Sequence, residues 1–273
     1  MSQRHIRTNA DRCSRLLAIM QPANTMLILL QDCPDPDAIA AAAALREIAN
    51  RCAGISCTLE HGGVVGRAEN AALAKYLSLN LRSKDDALKD SFDLVAMVDA
   101  QPGTGNSLCP DDLVPDIVID HHPIRQRTRR SPYTDVRRRY GATSTILYEY
   151  LALLGLVPEK PLATALLYGI RSDTQDLGRE ASQADIHAHL ELYVLANQRM
   201  LARIQTAAVP RDYFSAMADA LSKALVSGEG VFCRIDHLGK PDMVAEVADM
   251  LLRLESCSWA LSSGVSDGTM FLS

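Results

Sequence analysis

The sequence predicts an α/β fold: a parallel β-sheet flanked by helices. Two observations carry that expectation. Short apolar runs of strand length alternate with helical patterns through the first two thirds of the 273 residues, as in βαβ units. Several of those runs also end on acidic or imidazole side chains: Ile117-Val118-Ile119 closes on Asp120-His121-His122, and Leu94–Val98 closes on Asp99. In open parallel sheets, ligands gather outside the carboxyl ends of the strands.

The elements follow in order. Met26–Leu30 is a strand, and the alanine-rich run Ala38–Ala53 consists of good helix formers. Ser56–Leu59 is a short strand, Glu69–Leu77 a helix, and Leu94–Val98 and Asp116–Ile119 two more strands. Thr143–Leu154 is a helix stopped by Gly155, with Pro158 just beyond. Pro161 suits a first helical position, and that helix runs towards Ile170. From Gln183 to about Lys223 the pattern is helical, broken at Val209-Pro210. Gly228–Ile235 and Thr269–Leu272 are strands flanking the amphipathic stretch Val244–Leu254. The expected organisation is a first domain over 1–182, a helical connector over 183–225 and a partial small α/β domain over 226–273.

Composition narrows the function classes. Apolar residues make up 48% and charged residues 22%, an ordinary globular balance that excludes disordered and fibrous forms. A net charge of −5 argues against a surface that is cationic all over, so an anionic ligand would have to meet a local basic patch. The seven cysteines are odd in number and form no C-x-x-C pair, which points to reduced thiols rather than a disulfide framework or zinc ribbon. The N-terminal stretch is polar and amphipathic, and no segment has the roughly 18 apolar residues of a membrane span. A cytoplasmic protein without membrane contact is expected.

The chemistry-bearing residues are sparse but patterned. Asp120-His121-His122 reads as a polar strand end facing water or as a metal-binding group. Its company favours the metal: Asp35, Asp37, Asp99 and Asp173 also lie just after, or at the end of, apolar segments. In Cys33-Pro34-Asp35-Pro36-Asp37 the prolines favour extended or turn geometry, so both carboxylates can face one site and offer the anionic oxygens that hard divalent cations take. Alternatively, Asp37 caps the helix that follows. Asp173 reads equally as a cap or turn residue.

Arginines 125, 127, 129, 130, 137, 138 and 139 form a basic run behind the histidine pair. Most are expected on a solvated surface, with Arg125 and Arg139 the candidates for holding phosphate. Gly141-Ala142-Thr143-Ser144 can offer N–H groups and hydroxyls to an anion, or provide an ordinary helix cap. Arg67 is either a ligand contact or part of a capped helix start. His187 and His189, two apart on a helix, point to different sides, and His5, His61 and His237 have no evident partners.

Taken together in this order, LLQDCPDPDAIAAA, LVAMVDAQP, IVIDHHP and LLYGIRSDT, with GATSTILYEYL between the last two, resemble the motifs of the DHH phosphoesterase superfamily. The likeness is to its RecJ-like branch, which contains oligoribonucleases that also act on 3′-phosphoadenosine 5′-phosphate. It spans about Met26 to Thr174. The resemblance implies two Mn²⁺ ions, with Mg²⁺ as an alternative. Asp35 would hold the first ion and Asp37 the second; Asp99 would bridge them, and His121 and Asp173 would complete the second site. His122 would face the substrate phosphate or the attacking water, with Asp120 supporting the pair. Catalysis would thus involve Asp99, Asp120 and His122, and substrate contacts His122, Arg125, Arg139, Thr143, Ser144 and Arg67.

Gln31 stands where the family pattern has a histidine. Its neutral amide oxygen would be a weaker ligand for the first ion. The C-terminal residues resemble only the start of the family's substrate-binding domain, called DHHA1, without its glycine-rich segment. The resemblance therefore implies a phosphoesterase acting on small nucleotides or short oligonucleotides. A pyrophosphatase or polyphosphatase, a catalytically impaired nucleotide-binding regulator and a homodimeric assembly remain open.

Overall fold

The computed structural model describes residues 3–83, 91–236, 238–266 and 268–273, with side chains from residue 8 onward. The chain forms two compact units: Met1–Val65 with Ala72–Gln205, and Gly66–Ala71 with Thr206–Ser273. The expected connector over 183–225 is divided between them.

The first unit is built on six parallel strands: β1 (Thr25–Leu29), β2 (Ser56–Glu60), β3 (Leu81–Arg82), β4 (Leu94–Val98), β5 (Ile117–Asp120) and β6 (Tyr133–Val136). Their order is β3-β2-β1-β4-β5-β6. The chain therefore leaves β1 towards one edge and returns at β4 towards the other, which opens a crevice at the carboxyl ends of β1 and β4. Met26 to Leu29 are fully buried because β1 is covered on both faces. Met26 and Ile28 face the main core, while Leu27 and Leu29 face a smaller one with Met97 and Val118.

Helices α1 (Gln3–Met20), α2 (Pro36–Ala53), α4 (Thr143–Leu153), α5 (Lys160–Asp173), α6 (Gln183–Leu195) and α7 (Gln198–Gln205) belong to this unit, and α3 (Ala68–Tyr76) begins among residues assigned to the second. The run Ala38–Ala44 in α2 is almost wholly buried, and its small side chains let α5 approach closely. Contact is close at Gly169: a Cβ there would lie 2.5 Å from Ser144 Oγ and 3.0 Å from both Asp37 Cα and Asp37 Oδ1.

Gly169→Ala should gain at most about 1 kcal/mol in helix propensity, against an overpacking cost of about 1–3 kcal/mol. Net destabilisation and weaker divalent-cation binding are expected, because the backbone of Asp37 cannot yield as a side chain can. Thermal melting and Mn²⁺ titration check this, and a Ser144→Ala background should relieve part of the loss.

The second unit carries α8 (Arg211–Ser222), α9 (Met243–Leu251) and strands β7 (Leu225–Ser227), β8 (Gly230–Ile235), β9 (Trp259–Ser266) and β10 (Thr269–Leu272). The sheet order is β10-β9-β8-β7, with β8 and β9 parallel and both outer pairs antiparallel. Val231, Cys233, Ile235, Val247 and Leu251 form its core. Among the described residues no helix is long and apolar enough to cross a membrane.

Several elements depart from expectation, among them helix α1 and the short strands β3 and β7, which were not expected. Helix α5 continues to Asp173 rather than stopping near Ile170, so Asp173 lies in its last turn instead of the loop beyond. The helical stretch after Gln183 breaks twice, at Ala196-Asn197 as well as before Pro210. Strand β6 runs through the basic segment, and β9 lies in a serine-rich stretch where no strand was expected.

Candidate metal centre

Three strand ends and three helix ends meet at the crevice. Asp35 and Asp37 follow β1, Asp99 follows β4, Asp120-His121-His122 ends β5, Thr143 opens α4 and Asp173 closes α5. Asp37, Asp99, His121 and Asp173 each offer a ligand atom within 4.8 Å of the others. A second group, Asp99, Asp120, His121 and His122, meets the same measure and shares Asp99 and His121 with the first. The four residues expected around one ion are thus brought together, while Asp35 and Gln31 stand outside both groups.

Asp35, not Asp37, caps α2: its Oδ1 accepts the Ala38 N–H at 2.9 Å, and Pro36 takes the first helical position. Asp37 lies in the first turn with its carboxylate turned to another helix. Thr143 N–H donates to its Oδ2 at 2.7 Å and Ser144 N–H to its Oδ1 at 2.8 Å. The start of α4 is therefore an anion site occupied by the protein's own carboxylate. This corrects two expectations: Thr143 and Ser144 are fully buried on that carboxylate rather than open to a substrate, and neither is the N-cap, which is Ala142. Thr143 Oγ1 also donates to Asp99 Oδ1 at 2.9 Å.

Asp99 is 3% exposed and holds φ at 53°, a left-handed conformation that aspartate tolerates better than most residues. Burial raises its carboxyl well above the ordinary value, and the charges of Asp37, Asp35 and Asp173 add to this. Burial and then Asp173 lift Asp37 to about 7 and Asp35 to about 6, and a hydrogen bond from Gln31 moderates the rise at Asp35.

His121 Nδ1 donates to the Tyr140 carbonyl at 3.2 Å, which turns Nε2 inward to 3.3 Å from Asp173 and 3.5 Å from Asp99. Burial pushes this imidazole down, but Asp173 and the charges of Asp37 and Asp120 outweigh it and lift the ring to about 9. His122 Nδ1 lies 2.9 Å from Asp120 Oδ1, and that bond raises the imidazole. On Asp120, burial works upward, but the His122 hydrogen bond and charge prevail and hold its carboxyl low.

The donor set fits a divalent cation. Nε2 of His121 is buried without a hydrogen bond of good geometry, and it faces the carboxylates of Asp173 and Asp99. Oxygen-rich donors with one imidazole suit Mn²⁺ or Mg²⁺.

A stability consequence follows for the metal-free protein. Asp35, Asp37, Asp99 and His121 all have folded-state values above their ordinary ones. Their stabilising share is complete below the unfolded-state values and is lost as pH rises through the folded-state values, across about pH 4–7 for Asp35 and Asp37 and towards 9 for His121. The metal-free protein should therefore melt lower at pH 8 than at pH 5.5. Mn²⁺ at 100 times its Kd should add about 2.7 kcal/mol, roughly 5–10 °C for a domain of this size; at one fixed Mn²⁺ concentration the gain should be larger at pH 8, where the deprotonated ligands bind more tightly. Differential scanning fluorimetry at both pH values, with and without chelator, checks it.

The remaining candidates are dispersed. Arg125 and Arg139 are exposed, as are Arg129, Arg130 and Arg138. Arg127 pairs with Asp111. Arg137, expected on the surface with its neighbours, is instead buried between Asp135 and Glu149. Arg67 pairs with Asp249 at 2.9 Å inside the second unit. His61 is buried, with Asp32 and Gly63 about it. His187 pairs with Glu191 along α6. His237 and the side chain of His5 lie outside the described residues. All seven cysteines are free thiols. Sequence reasoning missed Tyr140, whose carbonyl orients His121, and Gln101, which is 2% exposed and bonds Asp120. For Gln101 the only signal was an amide two residues past a strand-end aspartate.

A parallel α/β sheet with an acidic and imidazole cluster at its crevice is an arrangement able to hold a divalent cation. The DHH family, N-terminal domain, matches residues 25–170. The sequence is 32% identical over 256 residues to an uncharacterized protein of Methanocaldococcus jannaschii, covering 93% of this chain and 52% of that protein. The chain belongs to the DHH family, within the DHH phosphoesterase superfamily, and spans about half the length of that curated relative.

Among solved structures, an exopolyphosphatase-related protein of Bacteroides fragilis matches with a TM-score of 0.78 at 12% identity, over 96% of this chain and 82% of that one, a likeness of fold alone. RecJ of Thermus thermophilus in complex with Mn²⁺ matches with a TM-score of 0.45 at 14% identity, over 97% and 47%, too loose a likeness to bear on this chain's metal.

Proposed function

We propose that this chain is a divalent-metal-dependent phosphohydrolase that cleaves a phosphate ester of a small nucleotide or short oligonucleotide. The observation that carries it is the convergence of Asp37, Asp99, His121 and Asp173 at the crevice of the parallel sheet. These four would hold the ion, with Mn²⁺ favoured over Mg²⁺ by the imidazole, and Asp99 and Asp35 would contribute to a second. When bound, such ions neutralise charge on phosphoryl oxygens and acidify the attacking water.

The protein's own groups do the rest. Tyr140 keeps the His121 proton on Nδ1. Asp120 holds His122 by Nδ1, so that Nε2 of this half-exposed ring, at 55% side-chain exposure, can carry a proton to a phosphate oxygen. Arg125 and Arg139, both exposed, offer planar donors to further phosphates.

A second reading, hydrolysis of a phosphoanhydride, is favoured by the number of exposed arginines in this segment, which suits a chain of phosphates. A panel with Mn²⁺ decides between them: a 5′-phosphorylated dinucleotide, 3′-phosphoadenosine 5′-phosphate, pyrophosphate and tripolyphosphate. Product from the nucleotides supports the ester reading, and product from the last two alone supports the second. No product from any, with ions bound, would leave a nucleotide-binding regulator.

A further inference from the structure

Gln101 lies in the loop after β4, and its amide is among the most completely engaged side chains around the centre. Its Nε2 donates to Asp120 Oδ2 at 2.5 Å and to the Pro123 carbonyl at 3.3 Å. Its Oε1 accepts the Arg125 N–H at 2.8 Å and the Thr128 hydroxyl at 2.7 Å. A primary amide has two donor hydrogens and two acceptor positions, and here every one is used in a nearly solvent-free pocket.

The two ends of the amide serve different parts of the site. The donor end holds the carboxylate that carries His122 on its other oxygen. The acceptor end holds the backbone at the start of the arginine-rich segment. Inside a protein, where such bonds are strong and a lost partner is costly, this fixes His122 and the Arg125–Arg130 segment in one frame.

We infer that Gln101 is a positioning residue that sets the His122 imidazole and the phosphate-facing arginine segment relative to each other. This rests on the proposed hydrolase function, and it deepens it by separating the turnover part of the site from the grip part. All four positions of its amide are taken by protein groups, so it acts through Asp120, Pro123, Arg125 and Thr128.

The test pairs two near-isosteric variants of the full chain, assayed with Mn²⁺ on a 5′-phosphorylated dinucleotide and on tripolyphosphate. Gln101→Met removes both ends of the clamp. It should lower kcat roughly 10–100-fold, the usual effect of losing a group that orients a site residue, and should also raise KM. Thr128→Val removes one bond at the acceptor end only, so KM should rise roughly fivefold, the equivalent of one hydrogen bond, with kcat unchanged.

A purely structural role would lower the melting temperature of both variants while leaving kcat per folded molecule and KM where they were. That outcome overturns the inference, as does Thr128→Val lowering kcat as much as Gln101→Met does. A readout independent of turnover is the imidazole tautomer of His122, followed by long-range ¹H–¹⁵N correlation where the ring is neutral. Nδ1–H should dominate in the wild type and give way to a mixture in Gln101→Met. If the wild type releases no product from either substrate, the proposed function fails. The tautomer then decides alone: a mixture in Gln101→Met supports the positioning role, and an unchanged tautomer overturns it.

Discussion

Asp99→Asn is expected to remove hydrolysis while making the metal-free protein more stable. Asparagine tolerates the left-handed φ of 53° at this position, and its Oδ1 can still accept the Thr143 hydroxyl. What it lacks is the charge. Asp99 belongs to both groups of candidate ligands, so neutralising it weakens every arrangement that could hold an ion there. Metal-borne stabilisation of a phosphoryl transition state is worth several kcal/mol, so turnover should fall on the order of a thousandfold or more. In the metal-free protein the same carboxylate is buried against Asp37, Asp35 and Asp173 and raised by that surrounding. Its removal should therefore raise the melting temperature at pH 8. Assay and melting curve together make the check, since a variant that had merely misfolded would lose both activity and stability.

Arg137→Met is expected to produce the largest loss of stability in the first unit. The guanidinium donates through Nε and Nη2 to Asp135 and through Nη1 to Glu149, and lies 5.0 Å from the ring centre of Tyr140 and 5.4 Å from that of Tyr150. Asp135 is 2% exposed and Glu149 6%. Removing the guanidinium takes the charge-assisted bonds from two buried carboxylates, leaving Asp135 with Arg12 at 3.4 Å and Glu149 with the Asn9 amide, a break in a buried ion-pair network that costs about 3–5 kcal/mol, or roughly 6–20 °C for a domain of this size. Activity per folded molecule should also fall, because Arg137 and Glu149 both bond the Tyr140 hydroxyl, and the carbonyl of the same residue orients His121. Arg138→Met, at an exposed position one residue away, should change stability by no more than about 0.5 kcal/mol. Equal melting temperatures for the two variants would contradict the role assigned to the buried network.

These two residues also mark where the sequence was legible. Asp99 was readable because an unbroken apolar strand led straight to it, and the same held for β1, β5 and the ligands beyond them. Arg137 was not readable, because charge in a basic run argues for solvent unless its partners are known. Its partners, Asp135 and Glu149, lie on β6 and α4. Strand β6, Tyr133-Thr134-Asp135-Val136, buries an aspartate where an apolar residue would have signalled a strand. Helix α1 escaped notice for a similar reason: among its described side chains the buried apolar ones are Cys13, Leu16 and Met20, set among many polar residues.

At the centre itself, spacing revealed which residues carry carboxylates but not where each one turns. Asp35 and Asp37 exchange the roles that local rules suggested, because the N–H groups that hold Asp37 belong to a helix more than a hundred residues later in the chain. No periodicity in the Pro34–Ala38 segment encodes that contact.

The most direct measurement is anomalous diffraction from crystals grown with saturating Mn²⁺. A strong peak bonded to Asp37, Asp99, His121 and Asp173 is predicted, displacing the 3.3 Å contact of His121 with Asp173 by ligation of both groups to the same ion. Full saturation with no peak among these four residues, or a peak held by other side chains, would contradict the assignment.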